Sequence, residues 1–242
     1  MNPRSFLVLA ALLAFVTAPL RAQTAEEWIA RARTFLGGDK ALNAVKSVHF
    51  TGVLEISDGT KIPTDIVFQK PYQQRITVTG PKVIETTALD GYDAWQKRTN
   101  PQNPTQWQVT LLDANQVKRL RSNTLENLSF YSTREMPGCV VQVVGDGTVD
   151  GRACVKLSFA HSSNVVFLRY FDKATGQLVK TETENGGEIR EEGEVYVSGI
   201  RFPKKVINKT ANGTVTAISF DKVVVNETFP ADTFAVPSLQ SK

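Results

Sequence analysis

The chain has 242 residues, of which 28 are basic and 24 acidic, with only two histidines and two cysteines. No stripe of basic residues able to contact several phosphates stands out, so nucleic acid is not an expected partner. His49 and His161 are far apart in the chain, and we expect both to be ordinary half-exposed residues rather than catalytic bases. Because the histidines and cysteines lack the close spacing of metal ligands, we expect neither a metal site nor a cofactor.

Residues 1–22 have the three parts of a cleavable secretory signal peptide. Arg4 lies in a short basic opening, an apolar run covers residues 6–16, and small residues precede a predicted cleavage after Ala22. The apolar run is shorter than the roughly 20 residues that a membrane-spanning helix needs. Gln23 stands where a lipid-anchored protein would have cysteine. The sequence therefore predicts an exported chain, residues 23–242, in a periplasm or outside the cell, that forms a single domain without a lipid anchor or a membrane span.

Two helical segments are predicted at the start of this domain. Thr24 and Glu27 form a capping-box pattern before apolar residues at helical spacing, and a pair of glycines ends the segment. Asp39 is predicted to cap a second, short helix that reaches residue 45.

From residue 48 onward, short β-branched and aromatic runs alternate with turn residues, which is typical of a large antiparallel sheet. The predicted strands are 48–57, 60–69, 73–79, 82–89, 93–98, 139–145, 152–160, 164–171, 177–184, 188–198, 202–210 and 214–225. A helix capped by Asp113 is predicted at 113–130, with a possible break near Ser122-Asn123. Glu191-Glu192 is predicted to be a solvated strand edge. About a dozen strands exceed what one flat sheet holds comfortably, so we expect a barrel or half-barrel.

The two cysteines allow two arrangements. Cys139 and Cys154 lie symmetrically about Asp146-Gly147, which favours a type I′ hairpin turn that would place them opposite each other. Export would permit a disulfide there. A turn at 150–151 would instead pair Cys154 with Gly147 and place the cysteines too far apart to bond. The symmetric arrangement favours the disulfide, with the second turn as the alternative.

Several segments resemble the LolA-like superfamily of periplasmic lipoprotein carriers and lipoprotein-sorting relatives. They are Lys70-Pro71 after a strand, the run Asp90-Gly91-Tyr92-Asp93-Ala94-Trp95 on the next hairpin, and the closing Phe234-Ala235-Val236-Pro237. The order of elements also agrees with that superfamily. The resemblance implies a mainly β fold, an unclosed antiparallel β-barrel of about eleven or twelve strands. An N-terminal helix and a helical insertion would cover its concave face, with an apolar cavity between them.

The resemblance further implies a non-enzymatic carrier or binder of an acyl-chain ligand, a lipid or a lipoprotein, with envelope membrane proteins as further candidate partners. The helix at 113–130 would act as a hinged lid. In such carriers an arginine before the proline latches this lid through hydrogen bonds to its backbone, and here Lys70 is the latch candidate. The candidate ligand contacts, each of which could equally be core packing, are Trp95, Phe50, Phe68, Val117, Leu120 and Leu125.

Two alternative functions remain open. The same fold can serve different functions. A sensor or scaffold that recognises an envelope protein would be expected to have a filled concave face. A secreted hydrolase would be expected to bring together carboxylates of perturbed pKa, although the sequence singles out no acidic pair and no catalytic residue.

Overall fold

The structure is a computed structural model that describes residues 23–237, so the predicted signal peptide lies outside the described residues. The helices are α1 (Ala25–Leu36), α2 (Asp39–Asn43) and α3 (Ala114–Ser129). The strands are β1 (Ser47–Glu55), β2 (Lys61–Gln69), β3 (Gln73–Thr79), β4 (Ile84–Asp90), β5 (Asp93–Asn100), β6 (Asn103–Leu111), β7 (Val140–Val149), β8 (Arg152–Ser162), β9 (Val165–Asp172), β10 (Leu178–Thr183), β11 (Glu188–Glu192), β12 (Val195–Val197), β13 (Ile200–Phe202), β14 (Lys205–Lys209) and β15 (Val215–Val225).

Thirteen of these strands form one antiparallel sheet in the order β6-β5-β4-β3-β2-β1-β15-β14-β11-β10-β9-β8-β7. The sheet is not closed, which confirms the predicted half-barrel. Its two edge strands, β6 and β7, are consecutive in the chain. The segment 112–139, which contains α3, therefore crosses from one edge of the sheet to the other. No helix within residues 23–237 combines the length and apolarity needed to cross a membrane.

Helix α1 begins and ends as its sequence predicts. The Thr24 hydroxyl accepts a 3.3 Å hydrogen bond from the amide of Glu27, whose carboxylate accepts one of 2.8 Å from the amide of Thr24. Gly37, at φ 138°, follows the helix, and a Cβ there would lie 2.3 Å from the carbonyl oxygen of Gly199. Only glycine fits this position, because the backbone of the β12–β13 hairpin passes directly against it. The second helix is capped by Gly38 rather than by Asp39, which lies inside the helix.

Helix α3 is continuous, so the predicted break near Ser122 was wrong. The hydroxyls of Ser122 and Thr124 donate to the carbonyls of Lys118 and Leu120, four residues earlier, and both side chains are thereby satisfied without interrupting the helix. The predicted cap is confirmed, since the Asp113 carboxylate accepts from the amides of the first turn.

The predicted strands differ from the structure in two regions. The sequence indicated no strand at β6, where Pro104 lies near the start of an edge strand that tolerates its missing N–H. The predicted strands 188–198 and 202–210 are each divided, and the interruption at Gly193 has a φ of 64°. As a result β12 and β13 leave the main sheet and form a separate hairpin.

The predicted disulfide was wrong. The β7–β8 hairpin turns at Asp150-Gly151, where both residues have positive φ, and its register pairs Cys154 with Gly147. Both cysteines are free. Cys154 is buried beside Tyr170, whereas Cys139 packs against the core cluster beneath α1.

Two large apolar clusters form the core. One lies between α1 and strands β8 and β9, with Phe159 and Phe171 fully buried. The other lies between α2, the hairpin β12–β13 and strands β1 and β2, and includes Phe50 and Phe202. Each fully buried side chain of this size contributes about 1.5–3 kcal/mol relative to its exposed state.

Candidate functional site

A cavity of about 330 Å³ lies against the concave face of the sheet, beneath α3 and the turn that follows it. It borders both core clusters. Eight neighbouring strands, from β3 at one side to β9 at the other, supply its sheet wall. The apolar half of that wall comes from β1, β2, β3 and β15, through Phe50, Ile66, Phe68, Ile76, Ile218 and Phe220.

The opposite half of the wall is mixed, since each of its strands β9, β10 and β11 presents one apolar and one polar side chain. Strands β9, β10 and β11 present Arg169, Thr181 and Glu191 to the same cavity. Thr181 pairs with Arg169 across the β9–β10 ladder, so these side chains lie on one face of the sheet. The cavity wall therefore changes along the sheet from apolar to mixed, with its charged side chains on the β9–β11 side.

The cover over the cavity consists of α3, which presents Asn123, Glu126 and Asn127, and of the two residues after it. Phe130 and Tyr131 have φ values of 47° and 69°. This left-handed turn sends Phe130 into the cluster beside β1 and Tyr131 into the cluster beneath α1. The end of the cover is thereby fixed to both halves of the core.

Arg33 of α1 holds this end of the cover through its backbone. Its Nη1 donates to the carbonyl oxygens of Ser129 and Phe130, at 2.8 and 2.9 Å. Its Nε and Nη2 donate to Asp39 at 2.5 Å and to Asn43 at 2.6 Å. Because the buried guanidinium donates hydrogen bonds from all three of its nitrogens, it connects α1 to α2 and to the end of α3.

Lys70, the predicted latch, contacts the chain just after the cover. Its ammonium forms a 2.5 Å ion pair with Glu135, in the short 3₁₀ turn that follows α3. The hydrogen bonds to the cover's backbone come instead from Arg33. A latch role for Lys70 stays a prediction.

The first half of α3 bridges the two sides of the half-barrel. Arg121 stacks between Tyr72 and Tyr92, with its guanidinium carbon 3.8 and 3.9 Å from their ring centroids, and donates a 2.5 Å hydrogen bond to the carbonyl of Gly91. Arg119 forms a 2.5 Å ion pair with Glu184, on the other side. The β4–β5 and β10–β11 turns are thus connected through one helix.

A buried charge cluster lies beneath α3. Glu126 contacts both His161 and Arg169, and the three side chains are only 6%, 5% and 8% exposed. Burial opposes ionisation of Glu126, but the charge of Arg169 and the contact with His161 hold its pKa below the usual value. The expectation of a half-exposed His161 was therefore wrong, because its imidazole side chain is buried against α3.

Glu191 also departs from its prediction as a solvated strand edge. Its strand, β11, lies inside the sheet between β10 and β14, and the carboxyl group lines the cavity. Burial raises its pKa, although Arg169 and Arg201 act in the opposite direction. Glu192, the next residue, is exposed as expected.

The six predicted ligand contacts divide into two groups. Phe50 and Phe68 line the cavity, whereas the other four are absent from its lining. Trp95 is buried, and its indole N–H donates a 2.9 Å hydrogen bond to the carbonyl of Phe234, joining two of the segments that carry the resemblance. Leu125 packs against the cluster beneath α1, and Val117 and Leu120 are half-buried on α3. A ligand role for any of the six stays a prediction.

Sequence reasoning missed Arg33 and Arg169, although each interrupts an apolar pattern. Arg33 follows Ile29 by four residues on the buried face of α1. Arg169 lies between Phe167 and Phe171 at the inward positions of β9. A charged residue at such a position signals a buried ionic contact. Within residues 23–237, no three His, Cys, Asp or Glu side chains are grouped to hold a metal ion.

The sequence matches no family model and no curated protein. Solved structures nevertheless share its fold. A LolA superfamily protein from Nitrosomonas europaea is 14% identical, with a TM-score of 0.59 over 89% of this chain and 99% of that one. A putative outer membrane lipoprotein-sorting protein domain from Vibrio parahaemolyticus is 12% identical, with a TM-score of 0.56 over 87% of this chain and 97% of that one. A DUF1329 family protein from Desulfovibrio piger, 11% identical, has the same TM-score and coverage. The resemblance predicted from sequence is confirmed at the level of structure: the chain has the fold of the LolA superfamily.

Proposed function

We propose that the protein is a non-enzymatic periplasmic carrier of an acyl-chain ligand. The observation that carries this proposal is the cavity between the sheet and α3, with its wall of six apolar side chains from β1, β2, β3 and β15. A scaffold without a ligand would be expected to fill this space with side chains. The unfilled concave face therefore favours binding of a ligand over protein recognition alone.

The dimensions of the cavity fit a small ligand. Its volume of about 330 Å³ is near the lower end of the roughly 300–1,000 Å³ typical of small-molecule pockets. Each methylene moved from water into the apolar half contributes about 0.8 kcal/mol. One acyl chain can therefore bind firmly, whereas a lipid with several chains would require the cover to move.

The topology supports loading and release through the cover. The segment 112–139 joins the two sheet edges and is held mainly by side-chain contacts, including Arg33 at one end and Arg121 at the other. Separating these contacts would lift α3 without breaking the ladder of the main sheet. The predicted signal peptide and the likeness to a lipoprotein-sorting domain support the periplasmic assignment.

The test is to purify the protein from its native envelope and identify bound lipids by mass spectrometry, then to measure uptake of a fluorescent fatty acid. Ile76→Trp, on the cavity face of β3, should fill the cavity and reduce uptake at least tenfold. Thr77→Trp, on the opposite face of the same strand, is the matched control and should retain uptake. A protein that carries no lipid and takes up no probe would refute the proposal.

One observation favours hydrolysis as a second candidate function. Two carboxyl groups in the cavity have pKa values displaced in opposite directions, Glu126 downward and Glu191 upward, as in an acid and base pair. However, Glu126 is engaged by both His161 and Arg169, which leaves it poorly placed to accept a substrate proton. Ester hydrolysis that is lost in Glu191→Gln, with uptake of the fluorescent fatty acid retained, would establish this second function.

A further inference from the structure

Only one of the three guanidinium nitrogens of Arg169 has a partner in the described part of the chain. Its Nη2 pairs with Glu126, whereas its Nε and Nη1 are buried and have no hydrogen-bond partner in the described part of the chain. These two nitrogens carry three of the five N–H donors of an arginine. A buried donor without a partner is costly. Because Arg169 lines the cavity, a ligand is the natural source of the missing acceptors.

The position of the guanidinium is fixed by aromatic rings. Its carbon lies 4.5 Å from the ring centroid of Phe159, 5.1 Å from that of Tyr131 and 5.6 Å from that of Phe167. These contacts, together with the ion pair to Glu126, restrict its rotation. The donors are therefore oriented before a ligand arrives, which reduces the entropy lost on binding.

The surrounding charges are largely compensated within the protein. Glu126 is paired with Arg169 and His161, and Arg201 is paired with Glu194. Glu191 is held toward its neutral form by burial. On this side of the cavity, the N–H donors of Nε and Nη1 of Arg169 remain without an acceptor in the described part of the chain.

The other end of the cavity offers a surface for an apolar chain. From Arg169 on β9 the wall continues across β10, β11 and β14 to the aromatic side chains of β1, β2 and β15. A ligand with one polar end and one apolar end would match both halves.

Resting on the proposed carrier function, we propose that the cavity binds a single-chain amphiphile whose head presents oxygen acceptors, a carboxylate or an ester carbonyl, to Nε and Nη1 of Arg169. The chain then extends toward Phe50 and Phe68. The head group is recognised in addition to the apolar surface, which makes the site selective for acceptor-bearing lipids.

Three probes with the same chain test this inference by displacement of the fluorescent fatty acid: dodecanoic acid, its methyl ester and dodecyltrimethylammonium. The acid and the ester should bind at least tenfold more tightly than the ammonium, which has no acceptor. Tighter binding of the acid than of the ester identifies a carboxylate head, and equal binding identifies a carbonyl head.

Two variants separate recognition from folding. Arg169→Lys retains a charge beside Glu126 but removes the fork of donors. The double variant Arg169→Met with Glu126→Gln removes both charges, so that no unpaired carboxylate remains. Each variant should bind the acid and the ester about tenfold or more weakly than the unmodified protein does. Its affinity for the ammonium should be unchanged. Arg98→Lys, at an exposed ion pair, is the matched control, and thermal unfolding followed by circular dichroism verifies that each variant folds.

The outcomes distinguish this inference from the proposed function. Recognition of the head is refuted if the ammonium binds the unmodified protein as tightly as the acid does. It is also refuted if both Arg169 variants bind the acid and the ester as tightly as the unmodified protein does. In either case the carrier function stands. If neither the fluorescent fatty acid nor any of the three probes binds, the carrier function fails, and this inference fails with it.

Discussion

The guanidinium of Arg33 donates a 2.9 Å hydrogen bond to the carbonyl oxygen of Phe130, a buried residue in the left-handed region at φ 47°. Tyr131, the next residue, is also left-handed. Such a conformation costs about 1–2 kcal/mol for each residue with a side chain. The turn therefore depends on outside support, and Arg33 supplies it from another element of the fold.

Arg33→Met should destabilise the protein by about 1–3 kcal/mol, because the buried carbonyl of Phe130 loses its donor and that of Ser129 keeps only the amide of Ser132. Arg98→Met, at a side chain that is 63% exposed, should cost at most about 1 kcal/mol. Urea unfolding measures both. Hydrogen exchange in α3 should also accelerate in the Arg33 variant relative to β1, and unchanged protection of α3 would contradict its role in holding the cover.

Gly37→Ala should be strongly destabilising, since its new Cβ would lie 2.3 Å from the carbonyl oxygen of Gly199 at a φ of 138°. Gly38→Ala is the matched control. Its φ is also positive, at 85° with a ψ of 161°, a region that is almost restricted to glycine, but no atom lies within 4 Å of the added Cβ, so only the backbone cost of about 1–3 kcal/mol applies. The melting temperature of Gly37→Ala should be lower than that of Gly38→Ala. Equal melting temperatures would show that the hairpin β12–β13 moves freely away from α1.

His49 should make stability depend on pH. Although partial burial lowers its pKa, the hydrogen bonds to Asp65 and Glu227 outweigh that effect and raise it above 6.5. A raised histidine pKa means that the folded state binds the proton more tightly. The resulting stabilisation is fully present below the unfolded pKa of about 6.5 and is lost as pH rises through the folded pKa.

The measurement is urea unfolding of the unmodified protein and of His49→Gln at pH 5.5 and 8.5. The free energy of unfolding of the unmodified protein should exceed that of His49→Gln by more at pH 5.5 than at pH 8.5. An NMR titration of the imidazole should also give a midpoint above 6.5. An advantage that grows toward pH 8.5 would reverse the sign of the proposed coupling.

The cysteines should remain reduced even after oxidative export. Cys154 is paired with Gly147 rather than with Cys139, so a disulfide would require a shift of the β7–β8 register. Burial raises the pKa of Cys139 to about 11, which should make its reaction with thiol reagents slow in the folded state. Protein unfolded without reductant should contain two titratable thiols, and the absence of free thiols would indicate a disulfide.

Local sequence patterns were sufficient where the determining contacts lie close together in the chain. Thr24 and Glu27 specified the start of α1 because the capping box spans only four residues. Asp113 specified the start of α3 for the same reason. Strand alternation and turn residues then indicated a large antiparallel sheet, and the number of strands indicated a barrel or half-barrel, because one flat sheet does not hold a dozen strands comfortably.

The same patterns failed where a choice depended on distant partners. Asp146-Gly147 and Asp150-Gly151 both favour a hairpin turn. The structure uses the second, and with it β8 has its observed register with both β7 and β9. Glu191 was read as solvated because a glutamate pair is usually exposed. Its burial follows from the position of β11 between β10 and β14, which no local pattern encodes.

The sequence by itself determined the three helices and most of the strands, since these depend on capping, periodicity and turn chemistry over a few residues. The choice of a half-barrel over a closed barrel came from the resemblance to the LolA-like superfamily. Tertiary structure alone decided the site. It brought Glu126 of α3 to Arg169 of β9 and Arg33 of α1 to Phe130, residues separated by 43 and 97 positions. These contacts form only when the open sheet has curved beneath the helix, because their geometry is set by strand order rather than by neighbouring residues.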